Sequence, residues 1–227
     1  HGDSQWMLGG SYTIIDYVYD IAQLLHQTRA VPATVMGHSL GGSISLLYSG
    51  IYPENVTKLI SIEGMGPPPG MFEKYGETDP HARLEAWVEN LRQLSGRMPK
   101  RYATLEEAFQ RMQTENPHLS EDQARHLTVH GSNQNEDGSY SWKFDNYVRA
   151  FAPIGLSPEE SWKIYARIKS PTLLIHGTES WASNPQEDGR AKVFDNSTVA
   201  GIDGAGHWVH HDQLQRFLEV VKEFLDS

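Results

Sequence analysis

Gly37-His38-Ser39-Leu40-Gly41 fits the pattern G-x-S-x-G and follows a short apolar run, Val31 to Met36. The small residues matter because a serine can project from a sharp strand-to-helix turn only where its neighbours lack bulk. Such a turn strains the serine backbone and lifts Oγ clear of the sheet. A hydroxyl is a poor nucleophile at neutral pH. This chemistry therefore needs a histidine to take the proton and a carboxylate to orient that histidine. The pattern alone is weak, since glycine and serine are common. Here a β-branched strand lies before it, and Gly42 to Tyr52 reads as a helix after it. Strand, turn and helix is the context in which the pattern carries a nucleophile.

Other elements must position that serine. Residues 12 to 28 carry Tyr12, Ile15, Val18, Ile21, Leu24 and Leu25 at helical spacing. Pro32 sits at the start of the serine strand, where a missing N–H is tolerable. Tyr52-Pro53-Glu54-Asn55 breaks the following helix, and Val56–Ile62 reads as a buried strand. Strand, helix, strand implies a parallel sheet with right-handed crossovers. From Gly64 to about Lys169 the character changes. A turn-rich exit, Gly64 to Gly70, leads to amphipathic stretches at His81–Leu94, Thr104–Glu115 and Ser120–His130. Thr104 and Glu107 fit a capping box. A turn at Asp137-Gly138 precedes Tyr140–Phe144, and another helix begins near Ser157. This stretch reads as a helical insertion. Pro171–His176 resumes as a buried strand, Ser197–Ile202 is the last strand, and His210–Leu225 is an amphipathic closing helix.

The 227 residues, 38% of them hydrophobic, suffice for one sizeable core and an inserted subdomain. Nineteen basic against 29 acidic residues give a net charge of −10, with no basic run. That balance argues against nucleic acid or an anionic membrane as partner. No apolar stretch approaches membrane-spanning length, and the cytoplasm is the default compartment. Without cysteine there is no disulfide, no zinc–thiolate site and no thiol nucleophile.

The order of these motifs resembles the α/β-hydrolase family over essentially the whole chain: nucleophile elbow, sheet strand, helical cap insertion, two further strands, and a histidine loop before the last helix. The resemblance implies an α/β fold, a mostly parallel sheet flanked by helices. Its core would comprise residues 1–64 and 170–227, and its helical cap residues 65–169. His1-Gly2-Asp3-Ser4 also looks like the G-H-G-x-S loop that follows the fourth strand in this family. By that resemblance the chain lacks roughly the first four strands. One oxyanion donor, a backbone N–H from the loop after the third strand, would then lie outside this sequence. The N–H of Leu40 would supply the other. The serine strand would be left with an unpaired apolar edge, so the remaining strands are expected from a second chain, a swapped protomer or a longer polypeptide.

Gly204-Ala205-Gly206-His207-Trp208 lies where the family places its general base. His210 and His211 lack further ligands at recognisable spacing and read as solvated residues at a helix start, not as a metal site. Most members carry an aspartate in G-x-x-D after the strand that follows the cap. Here Gly177-Thr178-Glu179-Ser180 puts serine at that position. Two acids remain. Glu63 directly follows the strand Leu59–Ile62, a strand end from which a subset of the family, including many haloalkane dehalogenases, takes its carboxylate. Glu179 is one position from the usual site. A charge ending a buried strand is costly to desolvate without a partner, whereas a loop glutamate can be solvated; that argument favours Glu63.

His38 beside the serine, Met65, Pro67 and Met71 leaving the sheet next to Glu63, and Trp181 and Trp208 near the mouth are the candidate pocket residues. A lining of this kind suits a small or medium apolar acyl or aryl group. The resemblance implies a serine esterase that cleaves carboxylic esters through a catalytic triad of Ser39, His207 and Glu63, with no metal and no cofactor. Dehalogenation and epoxide hydrolysis fit less well, because the members doing those place aspartate where Ser39 stands. A C–C bond hydrolase acting on diketones and a non-catalytic small-ligand-binding relative are the alternatives.

Overall fold

A computed structural model describes the chain apart from residues 1, 8–11, 67, 71–78, 96, 98, 118, 151 and 154 and the side chain of Arg149. The chain divides into two compact units, residues 13–79 with 154–227 and residues 1–12 with 80–153. Among the described residues no helix is long and apolar enough to cross a membrane.

The first unit is built on four parallel strands, β1 (Ala33–His38), β2 (Val56–Ile62), β5 (Thr172–Gly177) and β6 (Ser197–Ile202), in the order β1-β2-β5-β6. Its helices are α1 (Ile14–Thr28), α2 (Leu40–Ile51), α6 (Pro158–Tyr165), α7 (Val209–Asp212) and α8 (Leu214–Asp226). The middle strands are apolar on both faces because both are covered, as a parallel sheet with crossover helices demands. Leu59 and Leu174 join one core with Val18, Leu47 and Tyr48 from α1 and α2. Ile60, Ile62, Leu173 and Ile175 point the other way and pack with Val209, Phe217 and Val221 of α7 and α8. Strand β1 lies at an edge of these four, with Met36 55% exposed. Thr13 caps α1 through a reciprocal box with Asp16, so the helix opens one residue after the cap.

Two boundaries depart from the sequence reading. The closing helix is not continuous from His210 to Leu225, because Gln213, at φ −135° and ψ 57°, separates α7 from α8. The polar side chains at the break turn towards the preceding loop. Asp212 Oδ2 accepts from the Gly206 N–H at 2.8 Å, and the Gln213 amide donates to the Gly204 carbonyl at 3.2 Å. The division of the chain also differs: residues 1–12, read as core, belong to the second unit, and residues 65–79 and 154–169, read as insertion, belong to the sheet unit. Tyr165 and Ile168 are buried in its core, and Arg167 Nε–H donates to the Gly50 carbonyl of α2 at 2.9 Å.

The second unit holds α3 (Pro80–Leu94), α4 (Leu105–Glu115), α5 (Glu121–Gly131) and an antiparallel hairpin of β3 (Ser132–Gln134) and β4 (Tyr140–Trp142). Thr104 and Ser120 cap α4 and α5, each accepting from the backbone N–H three residues on. Phe109, Leu119 and Ala124 form its small core. Residues near the N-terminus belong here. Tyr12 Oη donates to Asp145 at 3.0 Å, and Trp6 Nε1–H donates to the Lys143 carbonyl at 3.0 Å.

Candidate active site

The chain leaves β1 through Ser39 and enters α2 at once. Ser39 has φ 54° and ψ −117°, a conformation L-residues rarely adopt, and it is held there by its N–H donating to the Ile62 carbonyl at 2.8 Å. The first glycine of the motif is sterically required, because a Cβ at Gly37 would lie 2.2 Å from the Gly41 carbonyl oxygen. The second is not: a Cβ at Gly41 meets nothing within 4 Å. Leu40 opens α2, and a helix leaves its first N–H groups without an intrahelical acceptor.

The neighbouring strand repeats the manoeuvre. Glu63 follows β2 at φ 53°, and its N–H donates to the Ile175 carbonyl at 2.8 Å. Its side chain is wholly buried, at 0% exposure. Oε1 accepts from the Gly177 N–H at 2.7 Å, and Oε2 accepts from Ser180 Oγ–H at 2.6 Å. His207 Nδ1 approaches the same Oε2 at 3.0 Å, while His207 Nε2 lies 2.9 Å from Ser39 Oγ. A carboxylate only accepts, so the imidazole proton sits on Nδ1 and Nε2 is left to accept from the serine hydroxyl. Ser39, His207 and Glu63 are thus joined in one hydrogen-bonded chain from three strand exits.

The loop carrying His207 docks closely on the end of β5. A Cβ at Gly177 would lie 2.3 Å from the carbonyl oxygens of Ala205 and Gly206, so only glycine fits there. His38 Nε2–H donates to the His207 carbonyl at 2.7 Å, and the His38 ring packs 4.9 Å from that of His207. Burial lowers the His38 pKa below the ordinary histidine value, opposed by the hydrogen bond to the His207 carbonyl. His38, expected as a pocket residue, is thus half-buried against the loop that carries His207.

The remaining candidates fall in different places. Trp181 is 56% exposed with its ring 5.1 Å from the His207 ring, and Trp208 lies 6.2 Å from His38. Met65 is buried in the core shared with α1 and α2. Pro67 and Met71 lie outside the described residues. Glu179 is exposed, with its backbone N–H donating to the Ala205 carbonyl at 2.9 Å. His210 is not solvated as read: its ring packs 4.8 Å from His38, and its pKa is pushed down to about 4, first by burial and then by His211 and His38. Among the described residues no group of three or more His, Cys, Asp or Glu side chains is arranged to hold a metal ion.

Two side chains at this site escaped the sequence reading. Ser180 was noticed only as an absent aspartate. Arg190, 6% exposed and paired with Asp188, donates to the Met65 and Gly66 carbonyls at 3.0 and 3.1 Å and to the Ser183 carbonyl at 3.0 Å. It therefore ties the exit of β2 to that of β5. No spacing announces this, since its partners lie up to 125 residues away. A cavity of about 20 Å³ behind Glu63, lined by Ser61, His176, Ser183 and Arg190 among others, has room for about one water molecule.

The sequence profile of the alpha/beta hydrolase fold matches residues 1–214. A serine hydrolase-like protein of Danio rerio is 21% identical over 96% of this chain and 68% of its own length. The sn-1-specific diacylglycerol lipase ABHD11 of Mus musculus is 25% identical over 99% of this chain and 68% of its own length. The crystal structure of an esterase from Mycobacterium tuberculosis superposes with a TM-score of 0.76 at 21% identity, covering 100% of this chain and 72% of that one. At that identity the superposition speaks for the fold.

Proposed function

The chain belongs to the α/β-hydrolase fold family, and from that premise we propose that it hydrolyses carboxylic esters of small or medium apolar acyl or aryl groups through Ser39, His207 and Glu63. In the first half-reaction Ser39 Oγ attacks the ester carbonyl carbon while His207 Nε2 takes the hydroxyl proton. The Leu40 N–H donates to the oxygen on which negative charge develops. The Glu63 carboxylate faces the imidazolium formed at that moment and stabilises it. His207 then gives its proton to the departing alcohol, leaving an acyl group on Ser39. In the second half-reaction the same imidazole deprotonates a water, which attacks the acyl carbon. The acid leaves and the proton returns to Ser39.

The observation that carries this reading is the pair of contacts of 2.9 and 3.0 Å on opposite nitrogens of one imidazole. The apolar preference is supported by Trp181, a large ring exposed beside that imidazole. The names of the relatives, a lipase and an esterase among them, point the same way. A fluorophosphonate probe tests the proposal: it should label Ser39 in the folded protein, with S39A unlabelled. Hydrolysis of p-nitrophenyl esters of increasing acyl length should then locate the preferred chain length. A folded sample that neither labels nor turns over any ester would favour a ligand-binding relative over an enzyme.

A further inference from the structure

Glu63 has more donors than a triad acid needs. Oε1 takes the Gly177 N–H, and Oε2 takes both His207 Nδ1–H and the Ser180 hydroxyl. Two of these three donors come from the exit of β5, not from the strand that carries the glutamate. Ser180 is itself directed. Its Oγ accepts from the Ala182 N–H at 3.2 Å, and its own N–H donates to the Gly177 carbonyl at 3.1 Å. With an acceptor site of Oγ already occupied, the hydroxyl proton goes to Glu63 Oε2 at 2.6 Å.

We infer that Ser180 is a positioning residue for the reaction: its hydroxyl fixes the Glu63 carboxylate against His207 and shares the charge on the oxygen that the imidazole uses. The inference rests on the triad reading above. A glutamate side chain has three rotatable torsions, and a single imidazole contact leaves the carboxylate free to turn about the last of them. The Gly177 N–H on Oε1 limits that turn, and the Ser180 hydroxyl, a second donor on Oε2 beside the imidazole, narrows it further. Sharing Oε2 also tempers the field at the imidazole, because the negative charge there is divided between two donors. Position 180 holds a hydroxyl on the exit of β5 that hydrogen-bonds to a carboxylate supplied by β2.

The test is ester hydrolysis by the full chain, with p-nitrophenyl butyrate as probe, across pH. S180A should lower kcat about tenfold with KM little changed, since a hydrogen bond to a charged group is lost. The acid limb of its kcat/KM profile should move to higher pH, because an unshared Oε2 stabilises the imidazolium more strongly. S180T, which keeps the hydroxyl, should restore both kcat and the limb. S180C fills the space that alanine leaves empty but offers only a weak donor, so it should behave like S180A and guard against a folding defect in that variant. The histidines nearby, His38 and His210, are the same in every variant, so they do not move the limb. E63Q is measured alongside. If E63Q collapses while S180A and S180C match the wild type in rate and profile, Ser180 is packing only and the inference falls. If E63Q itself keeps wild-type kcat, the acid assignment is wrong and the inference falls with it.

Discussion

Two glutamates stand at the exits of adjacent parallel strands, and their environments are opposite. Glu63, after β2, is wholly buried and receives three hydrogen bonds from groups on the chain more than 110 residues away. Glu179, two residues after β5, is exposed. Both lie where the strands end, and each hydrogen-bonds to the loop that carries His207, Glu63 through its carboxylate and Glu179 through its backbone N–H. What separates them is desolvation. A carboxylate taken out of water survives only where donors replace the water, and here those donors converge on one residue. The contrast teaches that distance along the chain from a familiar motif position is a poorer guide to which carboxylate the fold buries than the demand for partners.

The most direct way to break this contrast is to remove the charge of Glu63. E63Q should lose about 10⁴ in kcat, the loss seen when a triad acid becomes an amide and the imidazole takes the wrong tautomer. Steady-state ester hydrolysis reads it, and a value near wild type would equate the two glutamates. Next comes the link between the two exits. Arg190, with 4% of its side chain exposed, holds the residues after β2 to those after β5. R190M should destabilise the protein by about 1–3 kcal/mol in urea unfolding, because the Met65, Gly66 and Ser183 carbonyls lose their buried donor and the largely buried Asp188 loses its cation. Exposure also separates titrating groups. The folded value of His210, about 4, lies below its ordinary 6.5. The unfolded chain therefore binds more protons in that window, and stability present above it is lost as pH falls through it. Urea midpoints should drop between about pH 6.5 and 4 in the wild type, and H210Q should flatten the drop. The smallest effect sharpens the comparison from the other side: E179Q should leave kcat and KM within about twofold, as surface changes do.

Much of this was legible beforehand. Strands β2 and β6 have the bounds that their β-branched runs announce, and Thr104 caps α4 as its spacing from Glu107 predicts. Ser39 and His207 could be named because small-residue loops have a local sequence signature. The desolvation argument separates Glu63 from Glu179, and the structure finds the first buried and the second exposed. Ser180 and Arg190 could not be read in the same way. Each acts across more than 110 residues through a hydrogen bond whose existence depends on which strand ends become neighbours. The break at Gln213 was hidden for a related reason: its cause is a side chain reaching back to the Gly204 carbonyl, while the apolar periodicity runs on through it. His210 looked like a solvated helix start because its neighbour His38 is 172 positions earlier.

Ser39 and Glu63 share a backbone oddity, φ of 54° and 53°, that neither residue type prefers. Each such placement costs on the order of 1–3 kcal/mol. At Ser39 only glycine would relieve that cost, and it would take the hydroxyl away with the strain. At Glu63 the relief is offset, because a glycine there would leave three buried donors without their acceptor.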